Sequence, residues 1–185
     1  MAAQDKLEQL QAQLGYVFTD VTRLKLALTH RSAAGIHNER LEFLGDAVLE
    51  LVVTHRLYQQ FPGVDEGRLS RFRAQLVRKE SLANKARALS VGRHLILGPG
   101  ERQSGGWERD SILADSLEAI LGAIYLEAGL QTVTGLIEAW FEDQLDGLDA
   151  RRVVKDPKTA LQEFLQAEGM SLPTYALLQT TGLGH

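Results

Sequence analysis

The sequence has 185 residues, 44% of them hydrophobic and 24% charged, which is enough for one hydrophobic core and a short appendage. It contains no cysteine, which excludes disulfides, thiolate metal sites and cysteine nucleophiles. Charges interrupt the N-terminal segment, and no run approaches the roughly 18 apolar residues of a membrane span. We therefore expect a cytoplasmic globular protein that does not enter a membrane.

Apolar residues recur at helical spacing along nearly all of residues 1–150. The first helix should end at Gly15, and Thr19 or Asp20 can cap the second. Four more helices are predicted at about 38–60, 66–89, 110–128 and 131–145, and the glycine-containing stretch LGPGERQSGGWERD is predicted as a loop. No segment there alternates with the period of a strand, so the pattern predicts an all-α fold.

The C-terminal part differs in composition. Residues 148–155 are polar and weakly patterned and are predicted as a linker after a first domain of residues 1–147. Beyond them, a helix should begin at Pro157, and PTYALLQTT favours a strand. One helix and one strand cannot bury a core alone, so residues 156–185 are predicted to be the opening of a second, incomplete domain.

Two predicted helices carry acids among apolar residues. Glu39, Glu42 and Asp46 share one face of the helix at 38–60, and Asp115 and Glu118 share a face of the helix at 110–128. Acids at this spacing usually form a solvated helix face. These two helices are, however, the most hydrophobic of the chain and should pack centrally, and small residues beside the acids (Gly45 and Gly122) would let them approach closely.

If these helices pack against each other, four carboxylates meet. Like charges ~4 Å apart repel by about 4 kcal/mol per pair at an effective dielectric constant of 20, so such a cluster should protonate or bind a cation. Without thiolates or paired histidines, the expected ion is Mg²⁺, with Mn²⁺ as a substitute. Carboxylate-held divalent metals commonly serve phosphate chemistry.

A basic segment lies in this acidic protein. Eight basic side chains and a single acid fall between Arg68 and Arg93. Such a segment can be merely solubilising, but acids are almost absent where a neutral surface would intersperse them, which favours a polyanion. The side chains predicted to share its binding face are Arg68, Arg71, Gln75 and Arg78.

Together, HNERLEFLGDAVLEL, FPGVDEGRLSRFRAQLV, LGPGERQSGG and SILADSLEAILGAIYLEAG resemble the bacterial ribonuclease III family in order and spacing. The resemblance implies an all-helical endonuclease domain that forms a homodimer and binds double-stranded RNA between two active sites. It implies that Glu42, Asp46, Asp115 and Glu118 are the metal-binding carboxylates, with Asp46 and Glu118 catalytic. Further implied roles are edge acids at Glu39 and Glu66 and an aromatic, Phe43, that inserts into a socket of the partner subunit.

The resemblance extends to the tail and to the reaction. The segment DPKTALQEFLQ is similar to the start of that family's α-β-β-β-α double-stranded-RNA-binding domain, of which only the first helix and strand are present. The implied reaction is phosphodiester hydrolysis to 5′-phosphate and 3′-hydroxyl products with short 3′ overhangs, in the processing of ribosomal precursor and messenger RNA. A-form shape and 2′-hydroxyl contacts would select RNA.

Alternatives remain both for the catalytic residues and for the function of the whole protein. His30 and His37 could act as bases, although histidines at such positions are more often packed or solvated. The whole protein could instead be a non-catalytic RNA-binding module, against which the intact acids argue. It could also be a carboxylate-bridged di-iron protein, but no Glu-x-x-His motif accompanies the acids.

Overall fold

A computed structural model describes residues 3–33, 35–148 and 157–173. Within these ranges the chain forms eight α-helices, two short 3₁₀ turns (Val91–His94 and Gly106–Glu108) and no strand beyond one isolated bridge between Thr29 and Ile96. The all-α prediction is confirmed. The helices are α1 Ala3–Leu14, α2 Val21–Ala27, α3 Glu39–Gln60, α4 Glu66–Val77, α5 Lys79–Ala88, α6 Pro99–Gln103, α7 Asp110–Asp146 and α8 Pro157–Ala167.

Helix boundaries follow local chemistry that the sequence displays. Gly15 ends α1 with a φ of 71°, a left-handed conformation that glycine adopts without steric cost. The Asp20 side chain accepts a hydrogen bond from the Thr22 backbone N–H and caps α2. α7 is interrupted at Gly129 (φ 78°, ψ 178°), between the two helices predicted there.

Two sequence predictions of local structure are wrong. The helix predicted at 66–89 is two helices, because Arg78 is extended (φ −63°, ψ 149°) and forms both the end of α4 and the start of α5. The stretch predicted as a loop contains α6, which begins with Pro99 in the first helical turn, where its missing N–H costs nothing.

The core of the first domain lies around α7. This helix packs most extensively against α3 and also contacts α2, α4 and α5. Its inward face includes the almost fully buried Leu113, Leu117, Ile120, Leu121 and Ile124. By length and composition α7 could also span a membrane, contrary to the expectation that no segment approaches this, but its inward-facing side chains from Ile112 to Ile124 are buried in the protein core.

The described residues belong to two compact units, Met1–Ala150 and Arg151–His185. In the second unit the helix predicted from Pro157 is confirmed as α8, and Gly169 (φ 65°) follows its end. The predicted linker, apart from Leu148, and residues 174–181 of the predicted strand lie outside the described residues, so these predictions stay open.

Candidate metal centre

The two acid-bearing helices meet without side chains between their backbones. A Cβ atom at Gly45 of α3 would overlap the carbonyl oxygen of Glu118 on α7, and one at Gly122 would overlap the carbonyl oxygen of Leu41. The predicted close approach through small residues is therefore confirmed. It brings the acids on α3 next to those on α7.

Three carboxylates converge at this contact. Glu42, Asp115 and Glu118 each offer an oxygen, and these oxygens lie within 4.8 Å of one another. Asp46, predicted as a fourth ligand, is not part of this trio, but it is the charged neighbour that raises the pKa of Glu118 most. The structure thus brings three of the four predicted ligands close enough together to share one ion, and Asp46 lies beside them.

The carboxyl groups of the trio bind protons more tightly than free carboxyls. Burial, then the charges of Asp46, Asp115 and Glu42, raises the pKa of Glu118 to about 8. Burial and then the Asp115 charge raise the pKa of Glu42, and burial raises that of Asp115. A divalent cation would relieve the repulsion that these shifts record, and an all-oxygen ligand set suits Mg²⁺ or Mn²⁺.

The cluster opens into a cavity of about 690 Å³. Its lining contains Glu42 and Asp115 of the trio together with acids, cations and hydroxyls from other parts of the chain. The cavity therefore offers charged and polar groups of both signs beside the carboxylates. The other lining residues are His30, Arg31, Ser32, Asn38, Glu39, Glu101, Arg109, Ser111 and Ile112.

The segment after α2 forms one wall of this cavity and is fixed by hydrogen bonds to the chain before α6. The His30 backbone N–H donates to the Ile96 carbonyl oxygen at 3.0 Å, and the Gly98 N–H donates to Ser32 Oγ at 3.0 Å. The buried Asn38 amide donates to the Ala27 carbonyl oxygen at 3.2 Å and holds the start of α3 against α2. These bonds position Glu39 and Glu42 relative to the wall.

His30 lies in the cavity wall, where a backbone N–H donates to its ring. Its Nδ1 accepts the Ser32 backbone N–H at 3.2 Å and lies 2.8 Å from Ser32 Oγ, so the proton of the neutral ring resides on Nε2. Burial lowers the pKa of His30, although the Glu101 charge opposes this. His37 instead lies with Nδ1 3.7 Å from a Glu39 oxygen. A catalytic role for either histidine stays untested.

The two predicted edge acids lie in different places. Glu39 lines the cavity and pairs with Arg31 at 3.4 Å. Glu66, at the start of α4, accepts a hydrogen bond from Ser70 Oγ at 2.7 Å and lines a separate cavity of about 430 Å³ between α3 and α4. Within one chain, the structure does not bring Glu66 to the trio.

The four side chains of the predicted RNA-binding face do not all lie on one helix. Arg68 and Arg71 of α4 are half-buried, and Gln75 is exposed. Arg68 pairs with Asp65 at 3.2 Å, whereas Arg78 lies at the break between α4 and α5 and pairs with Glu80 at 3.4 Å. Contact of these four side chains with RNA stays a prediction.

Some basic residues of the segment have structural partners instead. Arg73 donates to Thr54 Oγ1 at 3.1 Å, which links α4 to α3. Arg87 donates to a carboxylate oxygen of Asp110 and to the Glu108 carbonyl oxygen, which links α5 to the start of α7. Some of the basic residues whose number favoured a polyanion as ligand therefore serve to link helices.

Sequence reasoning missed the cationic side of the cavity. Arg31 and Arg109 line the cavity, and neither was predicted as a site residue. Arg109 forms an ion pair with Glu101 at 2.8 Å. Spacing could not reveal the two arginines because they come from segments between helices, which share no period with α3 or α7. The only local signal was a charged residue directly before the acid-bearing α7.

Together these features define an all-helical protein with a carboxylate site suited to a divalent cation. A family model described as ribonuclease-III-like matches residues 20–145. The chain is 53% identical over 179 residues to ribonuclease 3 of Aliivibrio fischeri and 52% identical over 179 residues to that of Pasteurella multocida; both matches cover 97% of this chain and 80% of the relative.

A solved structure agrees with these sequence matches. The nuclease domain of ribonuclease III from Campylobacter jejuni, described with a region involved in dimer formation, is 45% identical, with a TM-score of 0.73 over 74% of this chain and 96% of that one. The chain belongs to the ribonuclease III family and is an endoribonuclease of that type. The resemblance stated from the sequence is confirmed.

Proposed function

We propose that this chain cleaves double-stranded RNA with Mg²⁺, leaving 5′-phosphate and 3′-hydroxyl ends with short 3′ overhangs. The observation that carries the proposal is the convergence of Glu42, Asp115 and Glu118 within 4.8 Å beside a cavity large enough for a phosphodiester. The natural role inferred for it is the processing of ribosomal precursor and messenger RNA in the cytoplasm.

The residues of the site would have different roles in binding the cation. Glu42, Asp115 and Glu118 would hold the cation, and the negative charge of Asp46 beside Glu118 would add to its attraction. A bound Mg²⁺ would supply an activated water and stabilise charge on the attacking and leaving oxygens. Glu118 must give up the proton that its raised pKa retains before it can serve as a ligand.

The first test is cleavage of a plain RNA duplex at low salt in Mg²⁺, in Ca²⁺ and in EDTA. We expect cutting in Mg²⁺ and none in EDTA, with 5′-phosphate on the products. Cleavage that persists unchanged in EDTA would contradict a metal-dependent reaction, because the carboxylate trio would then have no role in it.

The raised pKa of Glu118 predicts how stability varies with pH in the metal-free protein. The carboxyl group titrates at about 8 in the folded chain and near its usual value of 4.5 in the unfolded chain. Its contribution to the free energy of unfolding is therefore fully present below about 4.5 and is lost as pH rises towards 8. At pH 8.5 in EDTA, Glu118→Gln should therefore be more stable than the parent by about 2 kcal/mol, discounted for partial exposure.

Urea unfolding at pH 5 and pH 8.5 measures this difference. The two proteins should be nearly equal in stability at pH 5, and added Mg²⁺ should stabilise the parent more than Glu118→Gln at pH 8.5. Equal stability of the two proteins at both pH values would contradict a buried, repelled carboxylate at position 118.

We also propose that the chain acts as a homodimer with Phe43 in the interface. Phe43 is 81% exposed, so this aromatic side chain is available to a second copy of the chain, and aromatic residues are enriched in the cores of protein interfaces. The cavity between α3 and α4, lined by Leu57, Tyr58, Val64 and Leu69, is a candidate socket for it in a second copy.

Replacing Phe43 should weaken this association. A buried aromatic anchor commonly contributes ≥2 kcal/mol to binding, so Phe43→Ala should raise the dimer dissociation constant by about thirtyfold or more. Sedimentation velocity across a concentration series measures the shift. Val17→Ala removes a side chain that is 75% exposed in the turn after α1 and serves as the control that should leave sedimentation unchanged. Unchanged sedimentation of Phe43→Ala at micromolar concentration would refute the interface.

A further inference from the structure

The cavity beside the carboxylates is lined by positively charged side chains as well as by acids. Four acids line the cavity (Glu39, Glu42, Glu101 and Asp115), and two arginines lie among them, Arg31 and Arg109. A cation held by the trio would neutralise Glu42 and Asp115, but an RNA phosphate that enters beside it would still face Glu39 and Glu101. Arg31 and Arg109 are the lining side chains that can offset the charges of these two acids.

Arg109 is held in place more firmly than Arg31. Its Nη1 lies 2.8 Å from Glu101 Oε1, and its Nη2 donates to Ser104 Oγ at 3.3 Å. Arg31 has one pair, with Glu39 at 3.4 Å, and its side chain is 71% exposed. Fixing a long side chain costs entropy at the moment of binding, so a guanidinium that is already held is the better prepared to bind an anion.

The partner that holds Arg109 is itself fixed. The Glu101 side chain is only 18% exposed, and a Cβ atom at Gly106 would overlap its Cγ and Oε1 atoms, so the 3₁₀ turn packs directly onto it. Ser104 Oγ donates to the Glu101 carbonyl oxygen at 3.0 Å. α6 and the turn after it therefore hold the Arg109 guanidinium in one position in the cavity wall.

The guanidinium retains donors for a ligand. Arginine has five N–H donors, and its two contacts with Glu101 and Ser104 leave others free to bind. Its side chain is 49% exposed, so these donors can be reached from the cavity. A planar guanidinium matches two oxygens of one phosphate, and a nucleobase offers no comparable negative charge.

We propose that Arg109 is a substrate-positioning residue whose guanidinium binds a backbone phosphate of the RNA strand lying in the cavity, with Glu101 and Ser104 holding it in place. This inference rests on the proposed function of the same site. It assigns a contact made to phosphate, which should carry no base specificity and should weaken with salt.

Binding is measured separately from cutting. In a Glu118→Gln background, which should not cleave, we would measure the affinity for an RNA duplex by fluorescence anisotropy from 50 to 300 mM KCl. Adding Arg109→Gln should weaken binding about tenfold at low salt and reduce the slope of log K against log salt by about one for each protomer that contacts the duplex. Adding Arg109→Lys, which keeps the charge, should keep the slope and lose less affinity.

Arg23→Gln is the matched control. Arg23 is 41% exposed and ion-paired with Asp20 and Glu127 at 3.8 Å, but it lies on α2 and does not line the cavity. It should leave the slope unchanged. Arg109→Met, which keeps the length of the side chain without its charge, repeats the test should thermal melting show that Arg109→Gln is unfolded.

Two outcomes separate this inference from the proposed function. An unchanged affinity and salt slope on adding Arg109→Gln or Arg109→Met, with a parent that cleaves the duplex, would overturn the role of Arg109 alone. A parent that neither binds nor cleaves the duplex would overturn the proposed function and this inference with it. In the otherwise wild-type protein, Arg109→Gln should lower kcat/KM about tenfold while leaving the Mg²⁺ concentration for half-maximal rate unchanged.

Discussion

Glu118→Gln should lower Mg²⁺-dependent cleavage of an RNA duplex by at least about a thousandfold. Glu118 is one of three carboxylates that converge within 4.8 Å, and its replacement removes a carboxylate proposed to hold the cation while keeping the size of the side chain. A divalent ion supplies several kcal/mol of charge stabilisation in such reactions, and each 1.36 kcal/mol is a factor of ten in rate.

The control for this loss is a second Glu→Gln substitution on the same helix. Glu142 is exposed near the C-terminal end of α7, so Glu142→Gln should keep the parent's rate. Single-turnover cleavage at saturating Mg²⁺ compares the three proteins. A rate for Glu118→Gln within tenfold of the parent would remove this carboxylate from the reaction. Intact RNA in every lane, with complexes visible by gel shift, would favour the non-catalytic RNA-binding alternative.

Gly45→Ala should destabilise the protein by about 3 kcal/mol or more, an unusually large effect for the addition of one methyl group. The added Cβ atom would overlap the carbonyl oxygen of Glu118, and backbone cannot rotate away as a side chain can. Overpacking of cores costs typically 1–3 kcal/mol, and a collision with backbone lies at the upper end of that range or beyond it.

The same substitution elsewhere in the helices should have the opposite sign. Gly135, on the C-terminal half of α7, is exposed, and an added Cβ atom there would meet nothing within 4 Å. Gly135→Ala should therefore stabilise the protein by about 0.5–1 kcal/mol through helix propensity alone. Guanidinium unfolding followed by circular dichroism measures both. A Gly45→Ala protein as stable as the parent would refute the close helix contact.

How much of the fold the sequence predicts depends on the range of the interactions involved. The start and end of α3, the stop at Gly15 and the break at Gly129 were predictable because each depends on residues within one or two turns. The break at Arg78 was not, because the apolar positions of α4 and α5 continue with helical spacing across it and no glycine or proline marks it.

The same distinction applies to the site. The acids and the two glycines could be placed on helix faces from their spacing, and the meeting of those faces followed from the hydrophobicity of α3 and α7. The cavity wall could not be predicted, because it depends on hydrogen bonds between His30 and Ile96 and between Ser32 and Gly98, which are far apart in sequence. The separation of Asp46 from the trio also depends on three-dimensional geometry.

The glycine contact between α3 and α7 has a consequence for how the enzyme can change. The relative position of Glu42 and Glu118 is set by backbone touching backbone at Gly45 and Gly122, with no side chain acting as a spacer. Substitutions among the surrounding leucines and isoleucines can therefore alter thermal stability while the spacing of the ligand oxygens stays the same. The core of this domain can change in sequence or be redesigned for heat resistance, while the geometry of its carboxylate trio depends on two residues that have no side chain.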